Sequence, residues 1–443
     1  MAIEQCVAMA DNQLPSWAGA DFKFTGNVRT YYVAAEQITW NYAPSGWDNW
    51  MGVPLNESAR AYSAGYTSAV GSIGGAGGFE WQKAAYRGYT NSSFTERTVQ
   101  PAWLGLNGPI LRAEVGDMMQ IVFTNKLAAN YMNVHSMGLG YDKTNEGSVY
   151  INDLGINGMA PNANDIDNPG DAVPPGGCFT YKWLVGPADV PAPGFDSHLW
   201  SYHPYINMAA DLTTGLAGPV IIYSAGKMDK IMKSNREFIL QYQGYLEIES
   251  WLTRANVQAY APSLLPQLQA ATQAINPLIP PGPGFGAVLQ PNKPPIPSTL
   301  ANSSIWAPQL TNMAQVGLNG SQAPLYQALN GHVLANMPPF EMCQADTTIW
   351  YVMAYGQNVH SFHLHGNNFQ VAGDQTGYFR AVKAILPGEM YTMQMNASRV
   401  GTWQMICHLS GHLSSGMQDY YLIYNQSTCP LPRLEGAKNG TIQ

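Results

Sequence analysis

GTWQMICHLSGHLSSGMQDYYLIY, residues 401–424, reads as two short β-strands, GTWQMI and DYYLIY, joined by a loop that opens with Cys407-His408 and runs through His412 to Met417. Aromatic and β-branched residues suit the strands, and the Ser/Gly-rich middle suits the loop. A cysteine at the end of a strand, a histidine five residues on and a methionine five beyond that let one loop wrap three ligands around one ion. Two imidazoles, one thiolate and a weak axial thioether are the donor set of a blue-copper site, because soft sulfur and imidazole nitrogen suit both Cu(I) and Cu(II). HSFHLHG, residues 360–366, supplies the second imidazole from a neighbouring strand. The expected type 1 copper ligands are His360, Cys407, His412 and Met417.

Five of the nine histidines fall inside these two segments. A lone buried histidine is ordinarily a hydrogen-bonded core residue, but crowding of this kind asks for metal. In a strand His363 and His365 point to one face, whereas Cys407 and His408 point to opposite faces. Cys407 can then hold one metal while His408 faces another. The Cys407-His408 peptide is the expected catalytic pair, a covalent electron route between two sites.

Outward from this loop the chain is strand-rich. VRTYYVAAEQITWNY, MMQIVFTN, CFTYKWLV and AGPVIIYS form one β unit, and FILQYQGYLEI, TTIWYVMAY, NNFQVA and EMYTMQM belong to a second that contains the copper loop. The expected fold is all-β: two cupredoxin-like Greek-key β-sandwich domains. Residues 1–27 are read as an N-terminal arm, 28–228 as domain 1 and 235–443 as domain 2, joined by a polar linker around AGKMDKIMKSNREF. A Pro-rich insertion at about 262–300 interrupts domain 2, as a surface loop or a strap. The segments 106–123 and 329–352 both open with Leu-Asn-Gly and turn into a strand, a hint of internal duplication. The GAGG within 70–80 is a loop, since no strand-then-helix pattern surrounds it.

Composition bounds the function. The 443 residues carry 11% charged side chains and a net charge of −8, with no basic cluster to attract phosphate, so nucleic acid is excluded as a partner. No apolar run reaches the length of a membrane span, and residues 1–20 lack the pattern of a signal peptide. Seven Asn-x-Ser/Thr sequons, at Asn56, Asn91, Asn302, Asn319, Asn396, Asn425 and Asn439, agree with a secreted glycoprotein. Apart from Cys407, the cysteines Cys6, Cys178, Cys343 and Cys429 allow three disulfide pairings or buried free thiols.

With those residues in view, the sequence resembles the ceruloplasmin and hephaestin branch of the multicopper oxidases. YYVAAEQITWNYAP (31–44), LGLNGPILRAEVGD (104–117), FTYKWLVGPADVP (179–191) and DLTTGLAGPVIIY (211–223) look like its first-domain signatures, and HSFHLHG and CHLSGHLSSGM like its last copper-bearing domain. The resemblance implies a three-copper cluster held by four His-x-His pairs. Here those pairs read His135-Ser-Met137, His203-Pro-Tyr205, His363-Leu-His365 and Ile406-Cys407-His408. Five ligands remain, His135, His203, His363, His365 and His408, with Met137 and Tyr205 as candidate additions. Ile406 cannot ligate, so a coupled copper pair and reduction of O2 to water by the family mechanism are in doubt. The acidic residue that the family's ferroxidases carry just before the second blue-copper histidine is Gly411 here, next to Ser410, which lowers the expectation of Fe(II) oxidation.

The expected function is a copper-dependent oxidoreductase. It takes electrons from a small-molecule reductant, a phenol or other aromatic in preference to Fe(II), at the type 1 copper and passes them to the remodelled histidine site, with O2 as acceptor. Two alternatives are an enzyme like the copper nitrite reductases and a non-catalytic copper carrier or store. The split of ligands between His135/His203 and His363/His365/His408 fits a homotrimer that builds the second site between neighbouring chains, and equally closure within one chain. A secreted or otherwise oxidising location is expected.

Overall fold

The computed structural model describes residues 14–64, 74–148, 169–206, 208–266 and 325–436. Cys6, the sequons at Asn302, Asn319 and Asn439, and nearly all of the Pro-rich insertion lie outside them. In chain order the first half contains β1 (Val28–Asn41), β2 (Trp47–Asp48), β3 (Val53–Pro54), α1 (Ala59–Ser63), β4 (Glu80–Tyr89), β5 (Leu111–Glu114), β6 (Met118–Asn125), β7 (His135–Met137), β8 (Cys178–Leu184), β9 (Ser197–His203), α2 (Met208–Thr214) and β10 (Gly218–Tyr223). The second contains α3 (Met228–Ser234), β11 (Arg236–Leu246), α4 (Thr253–Tyr260), β12 (Leu325–Leu329), β13 (Phe340–Cys343), β14 (Thr347–Tyr355), β15 (His360–Leu364), β16 (Gln370–Val371), β17 (Val382–Ile385), β18 (Met390–Asn396), β19 (Gly401–Cys407), α5 (Ser410–Ser414) and β20 (Gln418–Tyr424).

The strands form four large sheets, ordered β4-β1-β6-β8, β5-β10-β9-β7, β12-β11-β14-β18-β16 and β13-β20-β19-β15-β17. The third and fourth sheets repeat the order of the first and second, each with one further strand, β16 and β17, at its edge. β1 is parallel to β6 as β11 is to β14, and β10 is parallel to β5 as β20 is to β13. The fold is all-β, two cupredoxin-like sandwiches, each closing an apolar core between its own sheets: Val33, Tyr86, Ile121, Trp183 and Val220 in one, Phe238, Trp350, Phe362, Met405 and Tyr421 in the other. The two Leu-Asn-Gly loops meet. Asn107 Nδ2 donates to Asn330 Oδ1 at 3.1 Å, and Leu106 N to Asn330 O at 3.0 Å. At Gly105 the chain turns with φ +62, and a Cβ there would stand 2.0 Å from Asn330 O, so only glycine lets the loops approach.

The second and third sheets face each other across the interface between sandwiches. Leu199 and Ile221 pack there against Ile239, Ile349, Tyr351 and Met353. Tyr351 Oη donates to Ser197 Oγ at 2.8 Å, and Leu199 N to Thr392 Oγ1 at 3.1 Å. Nearby, Lys83 and Glu247 form a fully buried ion pair at 2.5 Å, with Tyr42 and Tyr245 around the ammonium. Burial pushes the lysine down and the glutamate up, so each charge persists through the other and through the bonds from Tyr42 Oη to the carboxylate and from Lys83 Nζ to Thr213 O.

The polar stretch read as a linker contains α3 and is followed directly by β11. Glu114 caps the helix by accepting the Met228 N–H at 2.7 Å, a contact between distant residues that local composition does not reveal. Cys343 and Cys429 form a disulfide, Cys178 is also disulfide-bonded, and Cys407 is free and buried. Among the described residues no helix is long and apolar enough to cross a membrane.

Candidate metal centre

β15 and β19 are neighbours in the fourth sheet, and their inward side chains, Phe362, Leu364, Met405 and Cys407, lie in the second core. His360 shares that inward face by alternation. After Cys407 the chain leaves the sheet, turns through α5 and returns as β20, which brings His412 back over the strand end. The ligand atoms of His360, Cys407 and His412 lie within 4.8 Å of one another. Cys407 Sγ is 3.4 Å from His412 Nδ1, and the two imidazole rings are 5.0 Å apart. Met417 is buried and joined to both by backbone, Cys407 N donating to Met417 O and Met417 N to His412 O, each at 3.0 Å.

The chemistry of this cluster fits a metal ion. His360 is fully buried, yet neither ring nitrogen has a hydrogen-bond partner, a costly state for an imidazole unless an ion takes a lone pair. Burial, with His412 adjacent, drives its pKa down to about 3, so the ring is neutral and ready to ligate. Burial pushes the Cys407 thiol up, although it accepts the Ser361 N–H at 3.4 Å. A bound cation reverses that balance and makes the thiolate. Tyr242, whose ring packs 5.5 Å from His360, closes the core side and donates to Ile406 O at 3.2 Å.

The remaining predicted residues fall into two separate groups. In the first, His135 and His203 are register partners on β7 and β9, with rings 5.6 Å apart, and Tyr205 stands 5.3 Å from His135. Both histidines give their Nδ1–H to a backbone carbonyl, of Glu146 at 2.8 Å and of Pro204 at 2.9 Å, which leaves Nε2 free to bind metal. Burial lowers both pKa values, that of His203 to about 4. Met137 and His135 share one face of β7 and line an open groove of about 510 Å³ with Tyr141, Trp200, Glu389 and Met390. In the second group His363 lies 5.0 Å from His365 and 5.3 Å from His408, and its Nδ1 bonds to Ala381 O at 2.7 Å.

The two groups lie on opposite sides of the second sandwich. His203 is on the face of β9 that meets β14, where its ring is 5.7 Å from Tyr355. His363 and His365 alternate with the core residues Phe362 and Leu364, so they project from the outer face of the fourth sheet. A sandwich about 10 Å thick separates them. Closure of all five imidazoles around one site within one chain is therefore not what this fold provides. Spacing alone could not reveal this, because it depends on which sheet of the second sandwich faces the first.

A multicopper oxidase family model matches residues 293–427. The mouse ferroxidase HEPHL1 is 29% identical over 421 residues, mouse hephaestin 28% over 415 and human ceruloplasmin 27% over 413. These alignments cover 90–92% of this chain but only 30–32% of the relatives, so the chain spans about a third of their length. In fold it is similar to the multicopper oxidase mgLAC (TM-score 0.50, 12% identity, 92% of this chain and 89% of that one) and to the blue copper oxidase from Nitrosomonas europaea (0.50, 13%, 94% and 92%). Fold and site together are those of a cupredoxin-type all-β protein, and the stretch that carries the metal centre is similar to the multicopper oxidase family, whose members use copper. Its sequence is related to the hephaestin and ceruloplasmin branch of that family.

Proposed function

We propose that the protein is a copper-dependent oxidoreductase that oxidises a small aromatic molecule, a phenol in preference to Fe(II), with O2 as the final acceptor. The observation that carries this is the convergence of His360, Cys407 and His412 beside buried Met417, with both His360 nitrogens unpartnered. When bound, copper supplies one-electron chemistry, with its two oxidation states held within one soft donor set. Cys407 and Met417 anchor the site in the core, and His412 reaches its edge on α5.

Beside α5 lies a loop of the first sandwich. Arg60 donates to Leu413 O at 2.6 Å, and Trp50 stacks on Tyr420 at 5.6 Å. Around this contact Trp47, Met51 and Tyr62 stand about half exposed, an apolar and aromatic surface suited to a phenol. The neighbouring Asp48 carboxylate is buried and accepts the Ser58 hydroxyl at 2.6 Å, so it is not offered to a cation. Gly411 and Ser410 supply no acid.

The second centre is assembled between copies in a homotrimer: His135 and His203 from one chain, His363, His365 and His408 from the next. Apolar residues exposed around each half support this, Tyr205 and Met208 near the first and Phe379 and Val382 near the second. The comparisons do not favour the nitrite-reductase-like or non-catalytic readings. The disulfide, and the exposure of the sequons at Asn56, Asn91, Asn396 and Asn425, support a secreted or otherwise oxidising location.

The test is the Cys407→Ser variant in copper-loaded full-length protein. The visible thiolate band and phenol-driven O2 uptake are both expected to vanish, while unchanged colour and copper content would sink the reading. Faster O2 uptake with Fe(II) than with phenols would overturn the substrate preference.

A further inference from the structure

We propose that His135, Met137 and His203 of one chain hold a cuprous ion as one member of the second centre, selected by these three donors and bound without help from Cys407. This deepens the reading above and rests on it only for the identity of the metal. Where the resemblance places a histidine, β7 carries Met137, a neutral and soft thioether. Tyr355 holds that sulfur in place, its hydroxyl donating to Met137 Sδ at 3.8 Å while bonded to Ser201 Oγ. The same tyrosine ring packs against His203, so thioether and imidazole are gathered on one buried partner. The Nδ1–H bonds to Glu146 O and Pro204 O leave two Nε2 lone pairs available, on rings 5.6 Å apart, and His135 lines the same groove as Met137.

The charge of the donor set selects the ion. All three donors are neutral, and the nearby carboxylates are already engaged: Glu146 with Lys143 at 2.7 Å, and Glu389 with its own turn at Leu386 N, 2.8 Å away. The cost of bringing an ion out of water rises with the square of its charge, so a neutral, half-buried set favours a monovalent ion over a divalent one. Sulfur softness acts in the same direction. Within one chain the other three imidazoles lie across the second sandwich, so these three donors can take up their ion before a neighbouring chain brings His363, His365 and His408 alongside.

The test uses the full chain carrying His360→Leu and Cys407→Ser, which removes the blue-copper donors, together with His363→Ala and His408→Ala, which breaks up the other imidazole group. Titrated with Cu(I) without oxygen against a chromophoric cuprous chelator, it is expected to hold one ion per chain, with a sulfur scatterer in the copper X-ray absorption spectrum. Adding Met137→Leu, nearly the same in volume, is expected to remove that scatterer and weaken Cu(I) binding at least about tenfold, with the circular dichroism unchanged. Met137→His instead is expected to shift preference toward Cu(II) by a similar factor. Absence of the sulfur scatterer, equal Cu(I) affinity with and without Met137→Leu, or Zn(II) bound as tightly as Cu(I) would each overturn the proposal. Loss of the visible band in the unmodified protein would sink the oxidoreductase reading and leave this one standing, so the two failures are distinguishable.

Discussion

His360 and Cys407 start from opposite proton states. Burial makes the imidazole neutral at any physiological pH and holds the thiol protonated above its ordinary range. His412 is lowered as well, so only Cys407 has a proton to lose when the ion arrives. Copper uptake at this site is expected to release one proton per ion at neutral pH, strengthening about tenfold per pH unit between roughly 6 and 8. The sign follows from the direction of the thiol shift: the proton competes throughout this window and leaves as pH rises. Calorimetry in buffers of different ionisation enthalpy measures the count. A value near zero would mean that the thiolate is already formed without metal; two or more would mean that an imidazole is charged. The gathering of His360, Cys407 and His412 was legible in the sequence because Cys407 and His412 lie on one strand-and-turn and chance seldom produces such spacing beside a second histidine cluster. The orphaned nitrogens of His360 were not, since they depend on what the core packs around the ring.

Among the elements, the long strands were plain in the sequence. TTIWYVMAY is β14 and MMQIVFTN is β6, residue for residue, since continuous apolar runs bounded by turn residues have few other readings. β7 is only three residues long and α5 only five, too short for any period to show, yet these two elements present His135 and His412. The neighbourhood of α5 was also hidden, because Arg60 reaches Leu413 across 353 positions of sequence. Removing that link with Arg60→Ala is expected to loosen the Trp47–Tyr62 surface from the edge of the metal site. The KM for a bulky phenol then rises about three- to tenfold, equivalent to roughly 1 kcal/mol. The visible band and kcat stay within about twofold, because no ligand moves. Steady-state kinetics on one bulky and one minimal phenol check this: an equal effect on both would show that the loop does not contact the reductant.

At the level of the whole molecule the decisive fact is which sheets meet. Strand patterning gave two sandwiches and the repeated Leu-Asn-Gly loops hinted at their kinship, but patterning carries no information about how one sandwich rests on the other. The interface is formed by Leu199, Tyr351 and their neighbours, and it sends His203 to one side of the second sandwich and His363 to the other. On the proposed reading the two halves of the imidazole set meet only between copies, and a closed ring of copies would let every half find its complement. Complementation tests this. One chain carries His135→Ala with His203→Ala, the other His363→Ala with His408→Ala, and each alone is expected to lack phenol-driven O2 uptake while keeping its blue band. Co-assembled at equal ratio, about a quarter of the junctions pair an intact first half with an intact second half, so about a quarter of wild-type activity should return. Light scattering on the same sample should give the mass of three chains. If each site closed within its own chain, every molecule in the mixture would remain defective, and no activity would return at any ratio.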